Sequence, residues 1–283
     1  MHAFDHASRA TRGARNYQED TALVWPSVSP SVTASADASA PEQPSAATNG
    51  SSAPLVAVLA DGMGGHAGGA LASRMACESF IKSYAAIDLP AKAELPETER
   101  LVEALRAAND AIAATVSTNP MLTGMGSTLV GVVFSTAGVE WVSVGDSPLL
   151  LYRRGEIAML NEDHSLAPEL DRMAAAGKIT AEEARKDPRR HMLRSAVTGD
   201  DIDMVDVSRT PLRIEPGDYI ILASDGLQTL ETSEIERVVT AYAADGPQAV
   251  ANALIRAVEA VRDPHQDNAT VVAVRALQAP AAA

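Results

Sequence analysis

Between Thr128 and Leu160 four short β-prone runs follow one another so closely that only tight turns fit between them. They are Thr128 to Phe134, Val139 to Val144, Leu149 to Tyr152 and Ile157 to Leu160, with Gly138, Gly145 and Gly155 in the breaks. Parallel neighbours would need a crossover of a dozen or more residues, so these strands are expected to run antiparallel. That excludes a βαβ series for the middle of the chain.

On the N-terminal side, Thr21 to Trp25 and Leu55 to Ala60 read as strands. Cys77, Phe80, Ile81 and Tyr84 then fall at helical spacing, and Leu101, Leu105, Ala108 and Ile112 follow with a similar pattern, which predicts two amphipathic helices. Beyond the meander, Met204 to Val207, Tyr219 to Ala223 and Thr270 to Val274 are expected strands, and Ser233 to Tyr242 and Pro247 to Val261 expected helices. The fold class is therefore α+β, antiparallel sheets covered by helices, in a single domain over residues 1–283.

Two segments stand apart from this order. Residues 27–54 are Ser, Ala, Pro and Thr with hardly a large apolar side chain, too little to offset the entropy of ordering them. They predict a disordered insertion whose deletion the fold survives. Residues 164–199 are polar and helix-prone, with Thr180 and Glu183 in capping-box spacing and Pro188 as a stop, so they predict a flap beside the core.

An apolar content of 46% supplies a core, and the balance of 37 Asp and Glu against 23 Lys and Arg leaves a net charge of −14. That charge argues against nucleic acid and anionic membranes as partners. Cys77, the one cysteine, has no internal partner for a disulfide, which fits a reducing compartment. No apolar leader and no membrane-length run is visible, so a cytoplasmic monomer is expected.

Four acidic stations are spread along this frame: Glu19-Asp20, Asp61-Gly62, Asp225-Gly226 and Asp267-Asn268. The central two each follow an apolar strand. Carboxylates delivered from distant strand ends suit hard divalent cations that take oxygen ligands, and the expected product is a two-metal hydrolytic site. Asp61 opens the loop Asp61-Gly62-Met63-Gly64-Gly65-His66-Ala67-Gly68-Gly69, which is too glycine-rich to be shaped by side chains. Its carboxylate can bridge two cations, and the Gly62 carbonyl can face one of them because no Cβ intervenes. Taken alone, the segment also suits an aspartate capping a helix. Gly62, Gly64 and Ala67 satisfy a variant dinucleotide fingerprint as well, but a carboxylate before the first glycine would repel a pyrophosphate. A P-loop is excluded because no Gly-Lys-Ser/Thr follows.

Taken in order, Gly13-Ala14-Arg15-Asn16-Tyr17-Gln18-Glu19-Asp20, Asp61-Gly62-Met63-Gly64-Gly65, Gly126-Ser127-Thr128, Gly145-Asp146-Ser147, Ser224-Asp225-Gly226 and Asp267-Asn268-Ala269-Thr270 resemble the motifs of bacterial metal-dependent Ser/Thr protein phosphatases, the PPM or type 2C family. The resemblance spans about residues 9 to 275. It implies two antiparallel sheets packed as a sandwich, with helices on both outer faces and two Mn²⁺ or Mg²⁺ ions at one end. It further implies hydrolysis of phosphoserine or phosphothreonine by direct attack of a metal-bridging water, with a Ser/Thr kinase and its substrates as partners. Carried over by position, Asp61 bridges the ions, the Gly62 carbonyl binds one, and Asp225 and Asp267 bind the other. Asp20 acts as a further ligand, Glu19 and Asn268 support the cluster, and Arg15 binds the phosphate. Asp146 matches a position that holds a third, weaker ion in some bacterial members, although a turn-stabilising aspartate is the alternative.

The chain departs from the pattern at Gln18, where the family usually has asparagine, and at Pro148, where arginine commonly follows. Met63 replaces the histidine proposed as general acid in eukaryotic members, which leaves the leaving-group acid open. His66 and His164 are candidates by residue type, against the plainer reading of loop histidines. Arg185, Lys186, Arg189, Arg190, His191 and Arg194 form a basic cluster in the flap, suited either to an acidic phosphopeptide or simply to solvent. Cys77 belongs to the apolar face of its helix and is expected in the core. A non-catalytic binding module is the alternative function, and the complete acidic set argues against it.

Overall fold

The computed structural model describes residues 3–26, 46–47, 54–64, 67–86 and 95–278. Its strands are β1 (Ala3–Thr11), β2 (Asp20–Trp25), β3 (Ala46–Ala47), β4 (Leu55–Met63), β5 (Gly126–Ser127), β6 (Leu129–Phe134), β7 (Val139–Val144), β8 (Leu149–Arg153), β9 (Glu156–Met159), β10 (Asp206–Val207), β11 (Tyr219–Ala223) and β12 (Ala269–Leu277). The helices are α1 (Ala67–Ala85), α2 (Glu97–Thr118), α3 (Ala167–Ala175), α4 (Ala181–Lys186), α5 (Thr232–Tyr242) and α6 (Pro247–Val261). One sheet has the order β3-β1-β12-β11-β8-β9 and the other β10-β7-β6-β4-β2, with β5 paired to the end of β4. Every pairing is antiparallel, as the short breaks of the meander require.

The layering follows from apolar runs that are buried on both faces. Along β4, Val56, Val58 and Ala60 pack with Phe80, Leu101 and Leu105 of α1 and α2. The alternate residues Leu55, Ala57 and Leu59 instead meet Ile220, Leu222, Val272 and Val274 of the opposite sheet. β11 divides in the same way, since Tyr219, Ile221 and Ala223 turn toward Leu254 and Val258 of α6. Strands covered on both sides lose the polar and apolar alternation of half-buried ones, which is why they read as continuous apolar runs. Truncating a fully buried ring such as Phe80 to Ala would cost about 3–5 kcal/mol. The result is the expected helix, sheet, sheet, helix stack.

The structure extends the core in one direction and trims an expected strand. β1 begins at Ala3 and runs in register with β12 from Ala3 opposite Leu277 to Thr11 opposite Ala269, so the sandwich reaches beyond the span of about 9 to 275 over which the motifs run. Its sequence hides this, because Asp5 and His6 follow the one large apolar residue, Phe4, and Asp5 is offset by an ion pair with Arg275. Met204 to Val207 was expected as a strand, yet only Asp206 and Val207 pair, because the Ser195 hydroxyl takes the backbone bonds of Met204. Within the insertion, Ala46 and Ala47 pair with β1, and the rest of residues 27–53 lies outside the described residues.

The flap carries α3 and α4. Thr180 and Glu183 form the full capping box, with the Glu183 backbone N–H donating to Thr180 Oγ1 at 3.1 Å and the Thr180 N–H to Glu183 Oε2 at 2.7 Å. Asp187, held extended before Pro188, ends the helix. Among the described residues, no helix is long and apolar enough to cross a membrane.

Candidate active site

The register of the two sheets brings the acidic stations to one end of the sandwich. Asp20, at the start of β2, lies directly opposite Asp61 of β4 in the ladder. In the other sheet Asp225 follows β11, and Asp267 precedes β12, the strand paired with β11. A cavity of about 800 Å³ opens there, lined by Arg15, Glu19, Asp61, Gly62, Asp146, Asp225, Asp267 and Asn268 among others. Asp20 lies beneath it and is 6% exposed.

Hydroxyls and amides fix these carboxylates. Asp20 Oδ2 accepts from Ser224 Oγ and Thr270 Oγ1, both at 2.7 Å, which ties one sheet to the other. The Asp61 backbone N–H donates to Thr128 Oγ1 at 3.0 Å, and Thr128 Oγ1 lies 2.8 Å from Ser147 Oγ. Asn268 Nδ2 donates to the carbonyls of Arg12 and Tyr17 at 2.9 Å, while its Oδ1 accepts from the Glu19 N–H at 2.7 Å. Asn268 thereby holds the Arg15 to Glu19 loop against β12.

Two glycines permit the close approach. A Cβ at Gly62 would collide with the Gly69 backbone, and one at Gly226 with the Asn268 backbone. Side chains at either position would push apart the segments that carry Asp61 and Asp225.

The electrostatics are those of crowded like charges. Burial first, and then the charges of Asp20, Asp225, Asp267 and Asp146, lift the Asp61 carboxyl well above the usual range. Burial likewise pushes Asp20 up to about 7, with Asp225 and Asp267 adding to it, and Asp146 up to about 7, with help from Asp225 and Asp163. Asp225 is raised by burial and then by Asp267. Asp20 Oδ1 and Asp225 Oδ1 are buried without any hydrogen-bond partner among the described residues. Acceptor-only oxygens, buried and unpaired beside other carboxylates, are costly unless a cation meets them.

The donor set therefore fits hard divalent ions. The carboxylates share one cavity without being closed around a single point: among the described residues, no three His, Cys, Asp or Glu side chains form a ready ligand group. Asp267 explains part of this. Arg15 pairs with its Oδ2, and its Oδ1 accepts from the Asn268 N–H at 2.8 Å.

The remaining candidates divide. His164 is 1% exposed, its Nδ1 accepts from the Gly145 N–H at 3.2 Å, and burial lowers its pKa. A buried imidazole locked on a turn is a poor proton donor, so His164 takes the plainer of its two readings, that of a turn histidine. His66 lies outside the described residues. His191, grouped above only with the basic cluster, lines the cavity together with Asp225. Only the fold of the flap places it there, so no spacing in the sequence marks it. Half of the basic cluster is neutralised within the flap: Arg189 makes a two-bond pair with Asp187, Arg190 another with Asp171, and Lys186 bonds Glu182 at 2.7 Å. Cys77 is fully buried and its thiol donates to the Thr21 carbonyl, in keeping with a core role. Gln18 Nε2 reaches Thr270 Oγ1 at 3.4 Å, and the Pro148 carbonyl accepts from the Ala223 N–H at 3.0 Å, so both departures from the motif pattern are absorbed locally. A dinucleotide site at Gly62 is excluded by the antiparallel sheets.

Residues 34–271 match the sequence model of the family described as Protein phosphatase 2C. The Serine/threonine protein phosphatase PstP of Mycobacterium tuberculosis is 36% identical over 215 residues, which cover 76% of this chain and 39% of PstP. The chain thus matches well under half the length of that relative. The crystal structure of the Mycobacterium tuberculosis serine/threonine phosphatase PstP/Ppp is 28% identical, with a TM-score of 0.71, and the match covers 98% of this chain and 100% of that one. The catalytic domain of PstP in complex with 2 manganese ions is 26% identical, with a TM-score of 0.70 and cover of 98% and 100%.

Proposed function

Since the chain belongs to the protein phosphatase 2C family, we propose that it hydrolyses phosphoserine and phosphothreonine in proteins and depends on divalent metal ions. The observation that carries this is the meeting of Asp20, Asp61, Asp225 and Asp267 from both sheets at one cavity, with buried acceptor oxygens left unpaired. The manganese pair of the PstP catalytic domain supports Mn²⁺ as one suitable ion, with Mg²⁺ as another. Asp61, the Gly62 carbonyl, Asp225, Asp267 and Asp20 would hold two ions, and Asp146 a third, weaker one. Held there, such ions acidify a water and neutralise charge on the phosphoryl oxygens.

The chain's own groups do the rest. Arg15, now paired with Asp267 at the cavity wall, has the planar fork that grips two phosphoryl oxygens. Thr128 and Ser147 fix the backbone of Asp61, and Asn268 fixes the loop that presents Arg15 and Glu19. His191 faces the cavity and is the imidazole able to hand a proton to the departing serine or threonine oxygen. The setting that fits is a cytoplasmic monomer acting on a Ser/Thr kinase and its phosphorylated substrates.

Phosphate release from p-nitrophenyl phosphate and from a phosphothreonine peptide tests this, with Mn²⁺ or with EDTA, beside Asp61→Asn and Asp225→Asn. Turnover is expected only with the ion and the intact carboxylates. Equal rates in every arm would remove the catalytic reading and leave the alternative of a binding module.

A further inference from the structure

Adjoining the active-site cavity, the flap holds a second one. Its volume is about 380 Å³, and it is lined by Glu169, Arg172 and Met173 of α3, Lys178 of the following turn, and Arg194. Three cations here face one carboxylate, in a protein whose net charge is −14. Elsewhere in the flap the cations are spent on neighbouring acids, as Lys186, Arg189 and Arg190 show. Here the offset is slight. Arg172 and Lys178 make no ion pair among the described residues, and Arg194 approaches Glu169 only to 3.7 Å.

Arg194 also lines the active-site cavity, so the two spaces adjoin at one residue. Its backbone is pinned, with the Arg194 N–H donating to the His164 carbonyl at 2.8 Å and the flanking Leu193 bridged to Ser165. The Arg194 backbone is therefore held beside the cleft, and Met173 adds an apolar side chain to the lining.

We propose that this flap cavity is a second anion subsite for the same polypeptide substrate, taking a phosphorylated or carboxylate side chain near the residue being dephosphorylated. The proposal rests on the phosphatase reading and deepens it: the preferred substrate is a segment carrying two anionic residues. Arg172 and Lys178 grip the second group, and Arg194 bridges the two sites. Because the two spaces share Arg194, the second anionic group belongs on the same short segment as the residue being dephosphorylated. Two exposed ion pairs supply roughly a fivefold preference.

The test compares kcat/KM for three phosphothreonine peptides of one sequence: one with neutral flanks, one with a flanking glutamate, and one with a flanking hydrolysis-resistant phosphonate. The enzymes are the wild type, Arg172→Ala/Lys178→Ala and the charge-conserving Arg172→Lys/Lys178→Arg, each also assayed on p-nitrophenyl phosphate. The wild type should favour an anionic flank about fivefold. The alanine pair should level the peptides without changing p-nitrophenyl phosphate turnover, and the conservative pair should keep the preference. A gain with phosphonate alone identifies a second phosphoresidue as the ligand, and a gain with both anions identifies general charge recognition. Equal wild-type values for all three peptides, or a preference that survives the alanine pair, would overturn the proposal. So would an equal loss on every peptide and on p-nitrophenyl phosphate. Should the wild type release no phosphate from any substrate, the phosphatase reading itself fails. Fluorescence anisotropy of the three labelled peptides then decides the subsite by the same ratios.

Discussion

Replacing Asp20 with asparagine should stabilise the metal-free protein at alkaline pH, although it removes a candidate ligand. Asp20 is buried, with Oδ2 satisfied by Ser224 and Thr270 and Oδ1 unpaired. Its carboxyl is pushed from 3.8 to about 7, by burial first and then by Asp225 and Asp267. Between those values the folded protein keeps a proton that the unfolded chain releases, so stability falls as pH rises through the window. A displacement of about three pKa units corresponds to about 4 kcal/mol at pH 8 and to almost nothing near pH 4. Asparagine keeps an acceptor for the two hydroxyls and carries no charge. Its unpaired amide costs about 1–3 kcal/mol, but equally at every pH, as the protonated acid does. Urea unfolding in EDTA of wild type and Asp20→Asn at pH 4, 6 and 8 reads the difference directly. The variant should gain about 4 kcal/mol relative to wild type between pH 4 and 8. With saturating Mn²⁺ the gap at pH 8 should narrow, since an ion at 100 times its Kd adds about 2.7 kcal/mol to the chain that binds it. A difference that does not change with pH, or a wild type that gains stability toward pH 8 in EDTA, would refute the crowding of charge at Asp20.

Arg15→Ala should raise KM for a phosphothreonine peptide about tenfold with little change in kcat, because a charge-assisted hydrogen bond contributes about 1.5–3 kcal/mol. Steady-state kinetics with unchanged KM would deny Arg15 its phosphate. His191→Gln should slow the phosphothreonine peptide by about a hundredfold and leave p-nitrophenyl phosphate alone, since p-nitrophenolate departs without a proton. Equal effects on both substrates would remove His191 from proton transfer.

The legible parts of the molecule are those where one physical demand dominates a segment. β4 and β11 are covered on both faces, so their apolar runs announce themselves, and an aspartate at or just past the end of each marks where the chain reaches the cavity. β1 escapes notice because Asp5 answers Arg275 across the ladder, a pairing that no local pattern contains. The carboxylates could be picked out by type alone, but Ser224, Thr270, Thr128 and Ser147 acquire their roles only from register. His191 illustrates the same limit. In sequence it is one member of a basic run, and the flap's return path alone brings it to the cavity that Asp225 also lines. Conversely, half of the run's residues are offset once Asp171, Asp187 and Glu182 fold beside them.

Crystals grown with Mn²⁺ and measured at the manganese absorption edge put the gathering of the acidic stations to its most direct trial. Two anomalous peaks are expected about 3.5–4 Å apart, both within ligand distance of Asp61, with Asp225 and Asp267 on one ion and Arg15 released from Asp267. Peaks elsewhere on the molecule, or none at Asp61 with the ion in excess, would contradict a metal-dependent phosphatase built on these residues.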